Sequence, residues 1–183
     1  MTSTIFKVRL LMFITVISSI AFLPFVDWTL TTVTLAAVMY FVYDCLGVIV
    51  ANHRYWSHKS FKFCHPILKY TFIFYREDNS KLLRVSIDNA RDRFLRITDR
   101  YWLLIIMSWI GLLLTISPQV LYFVFILPSA LTMLAQGMTN YMCHSNFGYV
   151  NYNNEDSTVN CPWIAPFNWG EAWHNTPHAN PTK

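Results

Sequence analysis

Four apolar runs dominate the chain, at 6–26, 30–51, 101–117 and 120 to about 141, and each is long enough to cross the hydrocarbon core of a bilayer as a helix. A lipid environment offers the backbone no water, so a run that enters it must satisfy its own N–H and C=O groups, which a helix does. The predicted fold is therefore an all-α membrane protein with four transmembrane helices in two hairpins. The turns fall at Asp27-Trp28 and near Pro118, where the fixed proline φ and the missing N–H stop a helix. Composition agrees: 54% of the 183 residues are hydrophobic and only 13% are charged, against about a quarter charged in soluble domains.

The basic residues orient these runs, because Lys and Arg near span ends are retained on the cytosolic side. Of the 14 Lys and Arg, Lys7 and Arg9 stand at the start of the first run, Lys183 ends the chain, and the rest lie between Arg54 and Arg100. Neither short turn carries one. Both termini and the 51–100 segment are thus expected in the cytosol, on an integral, multi-pass membrane protein. The first run also admits a signal-peptide reading, with Ser19-Ile20-Ala21 as the cleavage site, and that leaves the orientation of the later runs unchanged. Cys45, Cys64, Cys143 and Cys161 are scattered without a C-x-x-C pair, so reduced thiols are expected rather than a disulfide framework.

No repeat, linker or low-complexity tract divides residues 1–183, which read as a single domain. In the middle segment Leu83, Ile87, Ala90, Phe94 and Ile97 recur at steps of four and three, the pattern of an interfacial amphipathic helix whose basic face meets lipid phosphates, an acidic carrier or a CoA phosphate. Glu77, Asp78, Asp88, Asp92 and Asp99 interleave with the basic residues of this tethered segment, so no nucleic-acid partner is expected. Near the end of the second run Asp44 is either a functional ionisable group or, on the favoured reading, one that reaches water at the cytosolic boundary.

All six histidines fall in or beside the segments assigned to the cytosol. His53 and His58 are five apart where the second run leaves the membrane. On a straight α-helix that spacing separates side chains by about 140°, so they share a site only if metal lies between them or the helix unwinds. Asn140 and His144, four apart at the end of the fourth run, lie about 40° apart on one face. His174 and His178 form a further pair in the tail, beside Glu171, whose carboxylate can accept the free ring N–H of a ligating imidazole. Each pair alone also fits a plain structural role: interfacial histidines, a helix-end hydrogen bond, a solvated Glu. Imidazole suits iron and zinc alike, so spacing does not name the metal.

In context these residues resemble the membrane fatty acid desaturases, most closely the stearoyl-type Δ9 branch. His53-Arg54-Tyr55-Trp56-Ser57-His58 is similar to that family's first box, H-R-x-W-S-H; Asn140 and His144 resemble its N-x-x-x-H element; Gly170-Glu171-Ala172-Trp173-His174-Asn175-Thr176-Pro177-His178 resembles its third box, G-E-x-W/F-H-N-x-H-H. The resemblance implies a di-iron site with His53, His58, Asn140, His144, His174 and His178 as metal ligands, supported by Glu171 and Asn175. It also implies introduction of a double bond, Δ9 in that branch, into a fatty acyl chain on CoA, a carrier protein or a glycerolipid, using O₂ and electrons from a small electron-transfer protein. Aliphatic C–H bonds offer no acidic proton, so a metal-based oxidant is the chemistry such a step needs.

Two features depart from the family pattern. A middle H-x-x-H-H box is absent; His65 is a lone histidine at another offset and reads as structural, and the sequence looks internally truncated near 71–74. Pro177 stands where the pattern has a histidine, removing a ligand and biasing Thr176 away from helical geometry. An incomplete or single-metal site, a lipid hydroxylase, and a non-catalytic desaturase-like membrane protein therefore remain open beside the desaturase reading.

Overall fold

The computed structural model describes residues 2–57, 91–153 and 158–176, and among these it is helical, with no β-strand beyond one isolated antiparallel bridge between Tyr149 and Asn160. Helix α1 covers Thr2–Phe22 and α2 Leu30–Tyr40, which continues as a π-helical segment over Phe41–Ser57. Helix α3 covers Arg93–Ile116. The short α4, Pro118–Leu121, passes through a π-helical turn, Tyr122–Ile126, into α5, Leu127–Cys143. Among the described residues three helices are long and apolar enough to cross a membrane, Leu30–Tyr55, Arg93–Ile116 and Pro118–Cys143, and a shorter apolar helix covers Arg9–Phe25.

The helix breaks follow from local chemistry. Thr29 caps α2 through a reciprocal pair of bonds with Thr32: the Thr32 N–H donates to the Thr29 hydroxyl and the Thr29 N–H to the Thr32 hydroxyl. Ser117 caps α4 by accepting from the Val120 N–H, and Pro118 sits at the first helical position, where its missing N–H costs nothing. The π-turn Tyr122–Ile126 precedes Pro128, whose ring would collide with the carbonyl four residues earlier in tight α winding; opening the winding relieves that clash. The longer π segment holds Gly47, which favours no helix, followed by β-branched Val48-Ile49-Val50, which crowd a tight turn.

One sequence expectation changes. Asp92 accepts hydrogen bonds from the N–H groups of Phe94 and Leu95 at 2.9 and 3.2 Å, which is an N-terminal cap. Phe94 and Ile97 thus belong to α3, the helix of the third apolar run, and not to an interfacial helix shared with Leu83, Ile87 and Ala90. Those three residues, with His58, His65, Pro177, His178 and the suspected truncation near 71–74, lie outside the described residues.

The chain divides into two compact units. In the first, Met1–Phe41 with Leu103–Leu134, Ala36, Tyr122 and Phe123 form the buried core. Trp28 stands edge-on to both aromatic rings, at 6.4 and 5.2 Å. The Tyr122 hydroxyl donates to the Ser19 carbonyl at 2.8 Å, so the buried phenol is satisfied within the bundle.

In the second unit, Val42–Trp102 with Ala135–Lys183, residues 158–176 fold back on the end of α5 around a core of Cys143, Val159, Cys161, Ile164 and Ala172. The Val159 N–H donates to the Cys143 carbonyl at 2.8 Å and the Cys161 N–H to the Ala172 carbonyl at 2.8 Å. Gly148 passes so close to the bridge that a Cβ there would collide with the Asn160 carbonyl oxygen. We expect Gly148→Ala to destabilise this unit by about 1–3 kcal/mol, the usual cost of overpacking. Gly137→Ala, in open space within α5, should be neutral or stabilising by up to about 1 kcal/mol. Thermal unfolding of the detergent-solubilised variants measures both, and equal midpoints for the two would refute the close-approach argument.

Candidate functional site

In the second unit a cavity of about 270 Å³ is lined by Val48, Ile49, His53, Gln136, Thr139, Asn140, His144, Glu171 and His174. Five of the residues singled out from the sequence, His53, Asn140, His144, Glu171 and His174, therefore meet around one space. They arrive from three chain positions: the π-helical segment, α5, and the tail.

The π winding decides what the second helix presents. Its i→i+5 hydrogen bonds widen the turn and bring residues five apart toward the same face, and Val48 and His53, five apart, both line the cavity. The 140° separation expected for a straight α-helix does not hold for this segment, which keeps its wide winding up to Ser57, the residue before His58. Along α5 and just past its end, the lining residues Gln136, Asn140 and His144 recur every four, with Thr139 beside them.

The tail supplies its residues through a turn that only particular backbones allow. Trp169 and Gly170 have φ of 52° and 94°, both in the left-handed region, and this turn brings Glu171 to the cavity. Buried Asn168 is joined to the Thr139 hydroxyl of α5 at 2.7 Å. Asn175 is fully buried: its Oδ1 accepts from the N–H groups of Asn151 and Tyr152, and its Nδ2 donates to the carbonyls of Tyr152 and Thr158. Those bonds are the full complement of an amide, so its support of the neighbouring His174 runs through the backbone.

At the centre, His144 Nε2 and His174 Nε2 lie 3.2 Å apart with their rings edge to face at 78°. His53 stacks on His174 with centroids 6.4 Å apart and an interplanar angle of 26°. Glu171 Oε2 is 3.3 Å from His53 Nε2, and its Oε1 is 3.7 Å from Arg54 Nε. A buried carboxylate is expensive unless it is paired, and Glu171, 7% exposed, sits between two cationic or protonatable partners.

The donor chemistry fits a nitrogen-liganded transition metal. The His144–His174 contact at 3.2 Å is a hydrogen bond between the two rings; two imidazole nitrogens on one transition-metal ion, each at about 2.0–2.1 Å, stand at a similar separation of roughly 3 Å. Among the described residues no group of three or more His, Cys, Asp or Glu side chains is arranged to hold a metal ion, so the set they present is a convergent pair with His53 beside it.

The lining residue Gln136, which spacing did not single out, reaches Asp44. Gln136 donates to Asp44 Oδ1 at 2.9 Å, and Asp44 is fully buried. The expectation that Asp44 reaches water is thus corrected: it is held inside by an amide on the helix that carries Asn140 and ends just before His144. The four-residue stripe of Gln136, Asn140 and His144 was the sequence signal for this partnership. Cys45, Cys143 and Cys161 are free thiols. Burial pushes the Cys161 thiol above its ordinary range, with a hydrogen bond involving Cys143 acting against that rise, so it packs as a neutral group.

No family model matches the chain. A 33-residue stretch is 48% identical to the sn-1 stearoyl-lipid 9-desaturase of Synechocystis sp.; the stretch is 18% of this chain and 10% of that protein. This partial similarity hints at the desaturase family and, with three helices apolar enough to span a bilayer, fits a membrane setting for the chain.

Proposed function

We propose that this chain is a desaturase-type membrane oxidoreductase that acts on a fatty acyl chain. Iron would be held at the cavity by His53, Asn140, His144 and His174, with His58 and His178 completing the set and Glu171 and Asn175 supporting it. The observation that carries the reading is the pair of imidazole Nε2 atoms 3.2 Å apart, contributed by the residue that follows α5 and by the tail, in one cavity with His53 and Glu171. The partial match to a protein named as a stearoyl-lipid 9-desaturase supports the acyl substrate and a Δ9 product.

Iron at this position supplies the power to remove hydrogen from an unactivated C–H bond with dioxygen. Forming one double bond takes two hydrogens from the chain; reducing O₂ to two waters requires two more electrons and two protons. A small electron-transfer protein is accordingly part of the proposal, and the bilayer supplies the acyl substrate. Glu171 has the task of accepting the His53 ring N–H and fixing that ring's orientation. Val48 and Ile49 offer the apolar wall against which methylenes pack, and Gln136 with Asp44 closes the cavity with a polar contact. Both termini and the histidines are assigned to the cytosol from the distribution of Lys and Arg.

The ligand set read from the sequence is short, since Pro177 replaces a histidine of the family pattern and the middle box is absent. We expect fewer than two irons per chain in the purified protein and a higher iron content after Pro177→His, measured by elemental mass spectrometry. Two irons per chain and desaturation by the unmodified protein would contradict the short-set argument. His144 is exposed, so His144→Ala should leave the fold intact and weaken iron binding by at least about 10-fold; unchanged iron content would sink the site assignment.

The absent box favours a second reading, a non-catalytic desaturase-like membrane protein. The fatty acid profile of a host expressing this chain, beside one expressing a version with the middle box restored, separates the two. New unsaturated product only in the restored version is the result expected of a non-catalytic chain. Product in both supports turnover, and hydroxylated product points to a lipid hydroxylase.

A further inference from the structure

The surface of the second unit's tail has an unusual composition. Over 141–176 the sequence has no Lys or Arg, and its acidic residues are the adjacent Glu155 and Asp156 and Glu171, whose carboxylate is buried in the cavity wall. Aromatic rings stand at the surface instead: Tyr141, Phe147, Tyr149, Trp163 and Trp173 are all exposed. Two pairs of these rings are in contact, Tyr141 with Phe147 at 6.0 Å and Tyr149 with Trp173 at 6.3 Å. Contacting exposed rings of this kind mark a surface that meets something other than water.

The chemistry of the segment narrows what it meets. A water-facing surface carries interspersed charges of both signs, whereas 141–176 holds no basic residue and, Glu171 aside, confines its acidic residues to the adjacent Glu155 and Asp156. A hydrocarbon-facing surface is aliphatic and free of amides, whereas this segment is rich in asparagine, including Asn146, Asn151 and Asn153. Tyrosine and tryptophan among uncharged polar groups is the composition of the headgroup and glycerol layer, where an apolar ring body and a polar edge are both accommodated. Chain continuity places the segment there as well. It begins at the end of Pro118–Cys143, a stretch long and apolar enough to cross a bilayer, so it emerges at the boundary between hydrocarbon and water.

We propose that the tail is an interfacial cap, with Tyr141, Phe147, Tyr149, Trp163 and Trp173 seated in the headgroup and glycerol layer of the bilayer. The partner is a lipid surface, held by ring insertion and uncharged hydrogen bonding, with no requirement for anionic lipid. This inference needs the spanning helix but neither iron nor turnover.

Fluorotryptophan-labelled full-length protein in phosphatidylcholine vesicles tests it by ¹⁹F NMR. The signals of Trp163 and Trp173 are assigned by their disappearance in Trp163→Phe and Trp173→Phe, two exposed positions, so that one variant still serves if the other misfolds. Headgroup-nitroxide lipid should broaden both signals beyond detection, while a water-soluble gadolinium chelate leaves them visible. Broadening by the chelate and not by the lipid label would overturn the proposal in favour of a water-facing tail. Protection from both agents would overturn it in favour of a second protein copy covering the rings. Either result leaves the iron measurements on His144→Ala unaffected, so the two proposals fail separately.

Discussion

His144 and His174 are separated by thirty residues, yet their Nε2 atoms stand 3.2 Å apart, and what maintains that distance is the hydrogen bonding of the tail to the last turn of α5. The Cys143 carbonyl accepts from Val159, Thr139 is joined to Asn168, and the Cys161 Sγ lies 3.5 Å from the Met142 carbonyl. A helix leaves its final carbonyls without intrahelical partners, and here the tail supplies donors to them. These contacts surround the small core of Cys143, Val159, Cys161, Ile164 and Ala172, where water does not compete for them. If this seam opened, His174, Glu171 and the cavity wall they form would separate from His144.

The second helix meets the same cavity by a different device. Its π winding aligns residues five apart, so Val48 and His53 face one way, while Asp44 is engaged by Gln136. An ionisable residue inside a spanning segment is costly to bury and survives there only with partners. The Gln136 amide is one of them, and it sits on α5 four residues before Asn140. The Gln136–Asp44 contact therefore joins the helix that carries His53 to the helix that carries Asn140.

Much of this was legible in the sequence. The apolar runs gave the helices, and Thr29, Ser117 and Pro118 fix where they restart, because capping and proline chemistry act within a few residues. Of the residues singled out by their histidine contexts, His53, Asn140, His144, Glu171 and His174 line one cavity. What was not legible depends on contacts distant in sequence or on winding. A spacing rule built on α geometry does not apply at His53, because the segment Phe41–Ser57 is wound as a π-helix. Asp44 was read as reaching water because its partner lies 92 residues away. The apolar stripe through Phe94 and Ile97 was assigned to an interfacial helix because periodicity does not reveal that Asp92 caps a new one.

Asn175 binds backbone on both of its amide ends, to Asn151, Tyr152 and Thr158, while its own N–H donates to Asn160 Oδ1. The framework that holds His174 is therefore written in main-chain groups and a few buried amides, and the outward side chains of the tail take no part in it. Such a division separates two evolutionary clocks. The cladding can drift to suit a new surrounding medium, residue by residue, without disturbing the imidazole it covers, whereas a single change at Asn175 or Gly148 reaches the centre at once.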